Sequence, residues 1–336
     1  MSRIFVQNMA DGQAVEETYL VTDKQLRANR NGNFYLQMDL NDRTGAINAR
    51  LWNAGEHLFR SFEVGDFLFV KGKVQLFQGA LQMILDKIER VGPDRVNLGD
   101  FLPHTEHDIS KLLERLRGIL MRMENHHLRA LVECFLMDEN FVTGLCRAPA
   151  GIRNHHAYLG GLLEHMVNLL DVCERILPLY PELDRDLLLT GVFLHDIGKV
   201  RELSYSRTFG YTDEGQLVGH LVIGVEMLNE KAARVRDLTG ESFPAELQMR
   251  LKHMILSHHG TYEFGSPKLP MTPEAIALHH LDNLDAKVHT YTREIRNDKN
   301  TSSAWTPFNH NTQRRLYKGP IEGSEGVLTD MNGDEG

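Results

Sequence analysis

The stretch Leu187-Leu-Leu-Thr-Gly-Val-Phe-Leu-His-Asp-Ile-Gly-Lys199 drives a mostly apolar run straight into an adjacent imidazole and carboxylate, His195 and Asp196. Asp186 to Asp196 reads as a helix, and a polar pair at the end of an apolar helix is costly to bury unless something satisfies it. Neighbouring ligands of unlike type at a helix end can point to one metal cluster, and Gly198 lets the chain turn sharply afterwards. The pair has company. His165 lies in Gly161-Leu-Leu-Glu-His165, His220 follows Gly219, His258-His259 precedes Gly260, and Asp282 lies in His279-His-Leu-Asp-Asn-Leu-Asp285, each on or beside an apolar helical segment. Taken singly, any of these except the His195-Asp196 pair reads as an ordinary side chain held by one hydrogen bond. The ordered set reads as a metal centre. Imidazoles with carboxylates suit Mn, Fe, Co, Ni or Zn rather than a calcium cage, and the lack of cysteine ligands argues against structural zinc.

Outward from this stretch, the 336 residues exceed what one hydrophobic core usually serves, so two domains are expected. Ahead of Val91-Gly-Pro-Asp94 the pattern is that of strands. Phe34, Leu36, Met38 and Leu40 alternate with Tyr35, Gln37 and Asp39, Asn41-Asp-Arg-Thr-Gly45 makes a turn, and Ile47, Ala49 and Leu51 alternate with Asn48, Arg50 and Trp52. A short helical stretch near Ala54 to Ser61 follows, and strands Phe67 to Leu76 and Ala80 to Ile88 flank a hairpin signal at Gln78-Gly79. Five short strands with a small helix between the third and fourth predict a compact barrel over residues 1–92. From Pro103 the period becomes helical. Ile109, Leu112, Leu113, Leu116 and Leu120, then His127 to Leu136, predict a helical brace over 93–150. Tyr158 to Leu177, His220 to Val235 and Ala245 to Ser257 are further helices of a domain over 151–300, with Pro178 and Pro181 breaking the chain after the first. A tail over 301–336 ends in Met331-Asn-Gly-Asp-Glu-Gly336, short, acidic and expected to be disordered.

The composition is that of a soluble globular chain, 42% hydrophobic and 25% charged. A net charge of -9 argues against gripping nucleic acid by bulk electrostatics, so any such contact is local. Cys134, Cys146 and Cys173 form neither a CxxC pair nor an even disulfide framework and read as reduced, packed thiols of a cytoplasmic protein. The start, MSRIFVQNMADG, lacks a basic flank and apolar run, and no segment is long and apolar enough to predict a membrane span.

The order His165, His195-Asp196, Asp282 resembles the motif that names the HD phosphohydrolase superfamily, and His220 with His258 or His259 resembles the extra ligands of its two-metal branches. The whole chain is similar to the YhaM family of 3'-5' exoribonucleases, which place an OB domain before an HD domain. The most specific matches are Phe193-Leu-His-Asp-Ile-Gly-Lys199, Ser257-His-His-Gly260 with Gly265-Ser-Pro267, and His280-Leu-Asp-Asn-Leu-Asp-Ala-Lys287, and the likeness runs from roughly residue 15 to Tyr317. It implies a multidomain fold, an OB-type β-barrel followed by an all-α HD helical bundle, and hydrolysis of single-stranded RNA from the 3' end. It also implies divalent transition-metal ions, two of them, with Mn favoured. His165, His195, Asp196 and Asp282 would then hold one ion, and Asp196, His220 and His258 or His259 the other, Asp196 bridging. Lys199 would neutralise phosphate charge, or serve as a cation at a helix C-terminus. Asp285, His155, His156 and Glu164 are candidates to support the ligands.

Tyr35, Arg50 and Trp52 share the outward face of the second and third strands, where OB folds stack single-stranded bases; Trp52 reads equally well as a cap on the barrel core. Residues 1–92 carry 11 Lys and Arg against 11 Asp and Glu, so stacking would have to supply much of the grip. Residues 291–318 carry six Lys or Arg, Arg314 and Arg315 among them, against two acids, together with Trp305, Phe308 and Tyr317. They line a path for a strand or pack on the helical domain. Rival functions are a phosphohydrolase of a cyclic dinucleotide or nucleoside polyphosphate with a regulatory OB part, a di-iron oxygenase, and a non-catalytic nucleic-acid binder. Cleavage of single-stranded DNA and homo-oligomerisation stay open.

Overall fold

The computed structural model describes residues 3–29, 31–77, 80–152, 156–205, 209–298, 300, 303–309 and 312–320. The strand alternation folds as read. β1 (Ala14–Ala28), β2 (Phe34–Asp42), β3 (Gly45–Trp52), β4 (Phe67–Phe77) and β5 (Ala80–Val91) close into a barrel in the order β1-β2-β3-β5-β4. β3 and β5 pair in parallel, Arg50 opposite Ile84, and every other seam is antiparallel. Leu36, Met38, Leu40, Ile47, Ala49 and Leu51 fill the interior, because residues two apart on a strand share a face. The short helix α1 (Glu56–Phe59) sits between β3 and β4. Gln78 and Gly79, the expected hairpin turn, lie outside the described residues, but β4 and β5 do pair antiparallel up to Phe77 opposite Ala80.

Among the described residues, eight longer helices build the second domain, joined by two short ones. α2 (Ile109–Leu120), α3 (His126–Leu136) and α4 (Glu139–Arg147) each start at an Asp or Asn whose side chain accepts from the first-turn amides, namely Asp108, Asn125 and Asp138. α5 (Gly161–Ile176), α6 (Arg185–Leu194), α7 (Lys199–Glu202), the two-stranded β6 (Leu203–Ser204) and β7 (Gly210–Tyr211), α8 (Asp213–Leu217), α9 (His220–Thr239), α10 (Ala245–Ser257) and α11 (Pro273–Asn297) follow. Leu116, Phe135 and Phe141 from the first three helices share one continuous core with Leu170, Phe193, Leu228, Met254 and Leu278. Residues 109–147 are thus part of the helical core itself. A small third cluster, Leu20 and Phe67 against Phe101 and Leu102, packs the barrel onto the connecting segment. No helix among the described residues is long and apolar enough to cross a membrane.

Of the longer helices, α4 and α11 are the ones that periodicity did not disclose. α11 carries three histidines, two aspartates and an asparagine within Leu278 to His289, which break its apolar stripe. The acidic end Met331 to Gly336 lies outside the described residues.

Candidate metal centre

α6 is buried on all sides, so the two residues that follow it, His195 and Asp196, emerge in the interior: they are 0% and 2% exposed. α5 brings His165 alongside, α9 presents His220 at its first position, α10 delivers His258 and His259 just beyond its last, and α11 supplies Asp282. All seven candidate ligands meet. His165 Nε2 lies 3.3 Å from His195 Nε2 and 3.2 Å from Asp282 Oδ1. Asp196 Oδ2 is 3.4 Å from His195 Nε2, and its Oδ1 is 3.5 and 3.6 Å from the Nε2 atoms of His220 and His258. His220 Nε2 and His259 Nε2 are 3.3 Å apart.

The opposite nitrogen of each ring is tied down. His195 Nδ1 donates to the Val192 carbonyl at 2.7 Å, His258 Nδ1 to Ile255 at 2.8 Å and His259 Nδ1 to Phe264 at 2.9 Å. A carbonyl only accepts, so these rings carry their proton on Nδ1 and turn the Nε2 lone pair inward. His165 Nδ1 pairs with Asp285 at 2.7 Å and His220 Nδ1 with Glu202 at 2.9 Å. Lone pairs facing each other at hydrogen-bond distance repel unless a cation lies among them. Asp196 Oδ1, buried and without a hydrogen-bond partner, makes the same demand. The donor set fits a divalent transition metal with the outer hydrogen bonds such sites require.

The electrostatics agree. Burial disfavours charge on Asp196, yet Lys199 and His195 hold its carboxyl well below the usual range. Burial likewise opposes charge on Asp282, and the hydrogen bond from His165 and the field of His195 outweigh it downward. Burial opposes protonation of His165, but Asp282 and Asp285 on its two nitrogens raise it to about 9, so a cation held by this ring must displace its Nε2 proton. His258 is pushed down by burial, and His259, buried beside His258 and His220, is pushed down to about 4. Both rings are neutral at physiological pH.

Gly198 lies in the turn between α6 and α7, but its φ of -59° is ordinary helical, and what requires glycine there is contact, since a Cβ would lie 2.1 Å from the His220 carbonyl oxygen. Lys199 is not a helix C-terminal cation; it opens α7, and its ammonium donates to Asp196 Oδ2 and the Ala150 carbonyl, both at 2.7 Å. Of the supporting candidates, Asp285 binds both His165 and His156 (2.9 Å), while Glu164 accepts from Tyr158 at 2.8 Å and from Thr105. His155 lies outside the described residues. Glu202 was missed, although an acid six residues beyond the His-Asp pair was visible; nothing in the sequence shows that it reaches His220.

On the barrel, Tyr35 and Trp52 are cross-strand partners with ring centroids 4.9 Å apart, and Arg50 lies two residues along on the same outer face. Trp52 is 44% exposed, which removes the core-capping alternative. Phe77, also exposed, receives the Arg50 guanidinium over its ring at 5.7 Å. Arg314 and Arg315 are far along the chain from this face, exposed on the C-terminal segment.

The HD domain family matches residues 162–287 and the OB-fold nucleic acid binding domain family residues 20–91. A protein named 3'-5' exoribonuclease YhaM from Bacillus velezensis is 35% identical over 86% of this chain and 90% of its own length. The chain belongs to the YhaM family. The Bacillus subtilis member is 35% identical over the same shares, and the Oceanobacillus iheyensis member is 33% identical over 94% of this chain and 97% of its own. Among solved structures, a replication protein A domain from Methanococcus maripaludis, 22% identical, covers 27% of this chain and 96% of its own with a TM-score of 0.24. In the YhaM frame the barrel is the nucleic-acid-binding module and the helical domain the metal-dependent phosphohydrolase.

Proposed function

We infer that this protein is a metal-dependent hydrolase that releases nucleotides from the 3' end of single-stranded RNA. One observation carries the reading: five inward Nε2 atoms gather beside Asp196, whose buried Oδ1 has no hydrogen-bond partner and lies 3.5 and 3.6 Å from those of His220 and His258, in a chain whose relatives over nearly their full length are named 3'-5' exoribonuclease. His165, His195 and Asp282 form one group of ligand atoms, His220, His258 and His259 another, and Asp196 lies against both. That division favours two ions with Asp196 shared and both His258 and His259 on the second, and the donor types admit Mn, Fe, Co, Ni or Zn. Bound there, divalent ions supply Lewis acidity toward a phosphodiester.

The chain's own groups do the rest. Asp285 and Glu202 orient His165 and His220, and carbonyls orient the other three rings. Lys199 holds Asp196 by Oδ2, and Asp196 would help hold the cations with Oδ1 free of any hydrogen bond. With two of its three protons committed, the ammonium has one left to meet a phosphate oxygen. Tyr35 and Trp52 offer ring faces to bases, a grip that tolerates any sequence, with Arg50 beside them.

The test is incubation of purified protein and Mn with 5'-end-labelled single-stranded RNA, single-stranded DNA and a panel of small nucleotides. Labelled RNA shortening progressively is the expected result. Turnover of a small nucleotide alone, oxygen uptake, or binding without cleavage would each replace this reading with a different one.

A further inference from the structure

α11, which carries Asp282 and Asp285, continues past the metal centre to Asn297. There it meets a segment that folds back on itself. Trp305 bridges Tyr317 and Asn309 bridges Arg314, the Thr306 amide donates to Leu316 at 2.9 Å, and the Lys318 amide donates to Ala304 at 2.8 Å. Leu316 and Thr306 are buried. Asn309 donates to Glu294 at 2.8 Å, and Lys318 pairs with Asp298 at 2.7 Å. These contacts fix the hairpin to the end of α11.

What the hairpin turns outward is aromatic and cationic. The Trp305 and Tyr317 rings lie 5.1 Å apart and are 47% and 54% exposed. Arg314 and Arg315, also exposed, are steadied through Nε by the carbonyls of Thr312 and Thr306. In a chain of net charge -9, this is a local reversal of sign. Arg293, one residue before the Glu294 anchor, also lines a cleft of about 620 Å³ between barrel and helical domain, together with Leu20, Asn41 and Phe101. The cleft and the hairpin thus share one turn of α11.

We propose that the Trp305–Tyr317 hairpin is a second stacking platform for single-stranded nucleic acid, separate from the barrel face, which holds the strand upstream of the bond being cut. Resting on the exoribonuclease reading, it adds where the strand runs. Exposed rings with flanking guanidiniums suit a strand of stacked bases and phosphates. The fifteen residues from Asp282 to Asn297 span roughly 22 Å at the helical rise, so the platform is out of reach of a dinucleotide in the centre. A second copy of the chain is a poorer occupant, since an isologous contact would bring Arg314 and Arg315 up against their own copies.

The experiment compares full-length protein with Trp305→Ala/Tyr317→Ala and with Trp305→Phe/Tyr317→Phe. Readouts are affinity for a single-stranded RNA of about twelve nucleotides, within the usual site sizes, and Mn-dependent turnover of a dinucleotide. The alanine pair should bind the long strand on the order of ten- to a hundredfold more weakly. It should turn over the dinucleotide at the wild-type rate, and the phenylalanine pair should recover binding. Wild-type affinity in the alanine pair, while the wild-type enzyme degrades RNA, overturns the platform and leaves the function standing. A change in solution mass with RNA affinity intact assigns the face to a second copy instead. Failure of the wild type to bind RNA at all takes both readings down.

Discussion

Gly198→Ala tests the junction between fold and metal centre with a single methyl group. The added Cβ would lie 2.1 Å from the His220 carbonyl oxygen, 2.8 Å from its carbon and 2.9 Å from the Gly224 amide nitrogen. All three are backbone atoms of α9, so no side chain can swing aside; the helix start must retreat by about 1 Å to restore even a tight contact of 3.0 Å. Overpacking of this kind costs about 1–3 kcal/mol. His220 moves with that backbone, and its Nε2 is 3.5 Å from Asp196 Oδ1 and 3.3 Å from His259 Nε2. Displacing one ligand by such a distance should weaken the half of the centre that contains His220, and hydrolysis should fall with it. The assay is urea unfolding with and without chelator, metal content after dialysis, and RNA hydrolysis. The packing penalty should survive chelation, whereas the metal loss should be confined to one site. Gly118→Ala is the control: that glycine sits inside α2 with nothing within 4 Å of a new Cβ, so alanine there should stabilise by about 0.5–1 kcal/mol. A Gly198→Ala protein with wild-type unfolding and full metal content would refute the close approach of α9.

Asp196→Ala removes the one carboxylate within reach of both ligand groups, so metal content should drop and hydrolysis should fall on the order of a thousandfold or more, measured on folded protein. Glu202→Gln keeps the shape but leaves the His220 ring and amide sharing a neutral acceptor; affinity at the second site should weaken about 10- to 100-fold in a metal titration, and unchanged affinity would remove Glu202 from the centre. Glu274 opens α11 and accepts from the Asp184 amide at 3.1 Å and Arg250 at 3.0 Å. Burial opposes its charge, but these hydrogen bonds hold its pKa below the ordinary 4.5. A depressed carboxylate stabilises the fold above its unfolded pKa and loses that contribution as pH falls through the folded value. Glu274→Gln should therefore lower the urea midpoint at pH 7 and flatten its decline below about pH 4.5; parallel acid profiles would contradict this.

Much of this was legible in the sequence for physical reasons. A half-buried strand must alternate, and Phe34 to Trp52 does, so the barrel face and its Tyr35–Trp52 pair followed from a period of two. The candidate His and Asp ligands stood out because polar side chains amid apolar helices demand partners. The contacts of Gly198 and Lys199 were not legible, for a common cause: what Gly198 touches is the start of α9, and what Lys199 touches includes Ala150, 49 residues away. Only the folded chain brings these together. α11 was missed because the side chains it gives to the centre are the ones that interrupt its apolar stripe.

Two of the histidines share one position relative to their helices. α6 ends at Leu194 and α10 at Ser257, and in each the next residue is a histidine, His195 and His258. The last carbonyls of a helix lack intrahelical partners. Each of these rings donates to the carbonyl three residues back, Val192 and Ile255. One hydrogen bond therefore does two things: it occupies a carbonyl of the helix end, and it fixes the proton on Nδ1 so that Nε2 is the free ligand. His259 reaches a loop carbonyl instead, and His165 and His220, within or at the start of helices, have no such carbonyl and need Asp285 and Glu202. Position relative to the helix thus decides which histidines require an acidic partner. Substituting Asp285 or Glu202 should therefore disturb metal affinity, whereas the rings at the helix ends hold their orientation from the backbone alone.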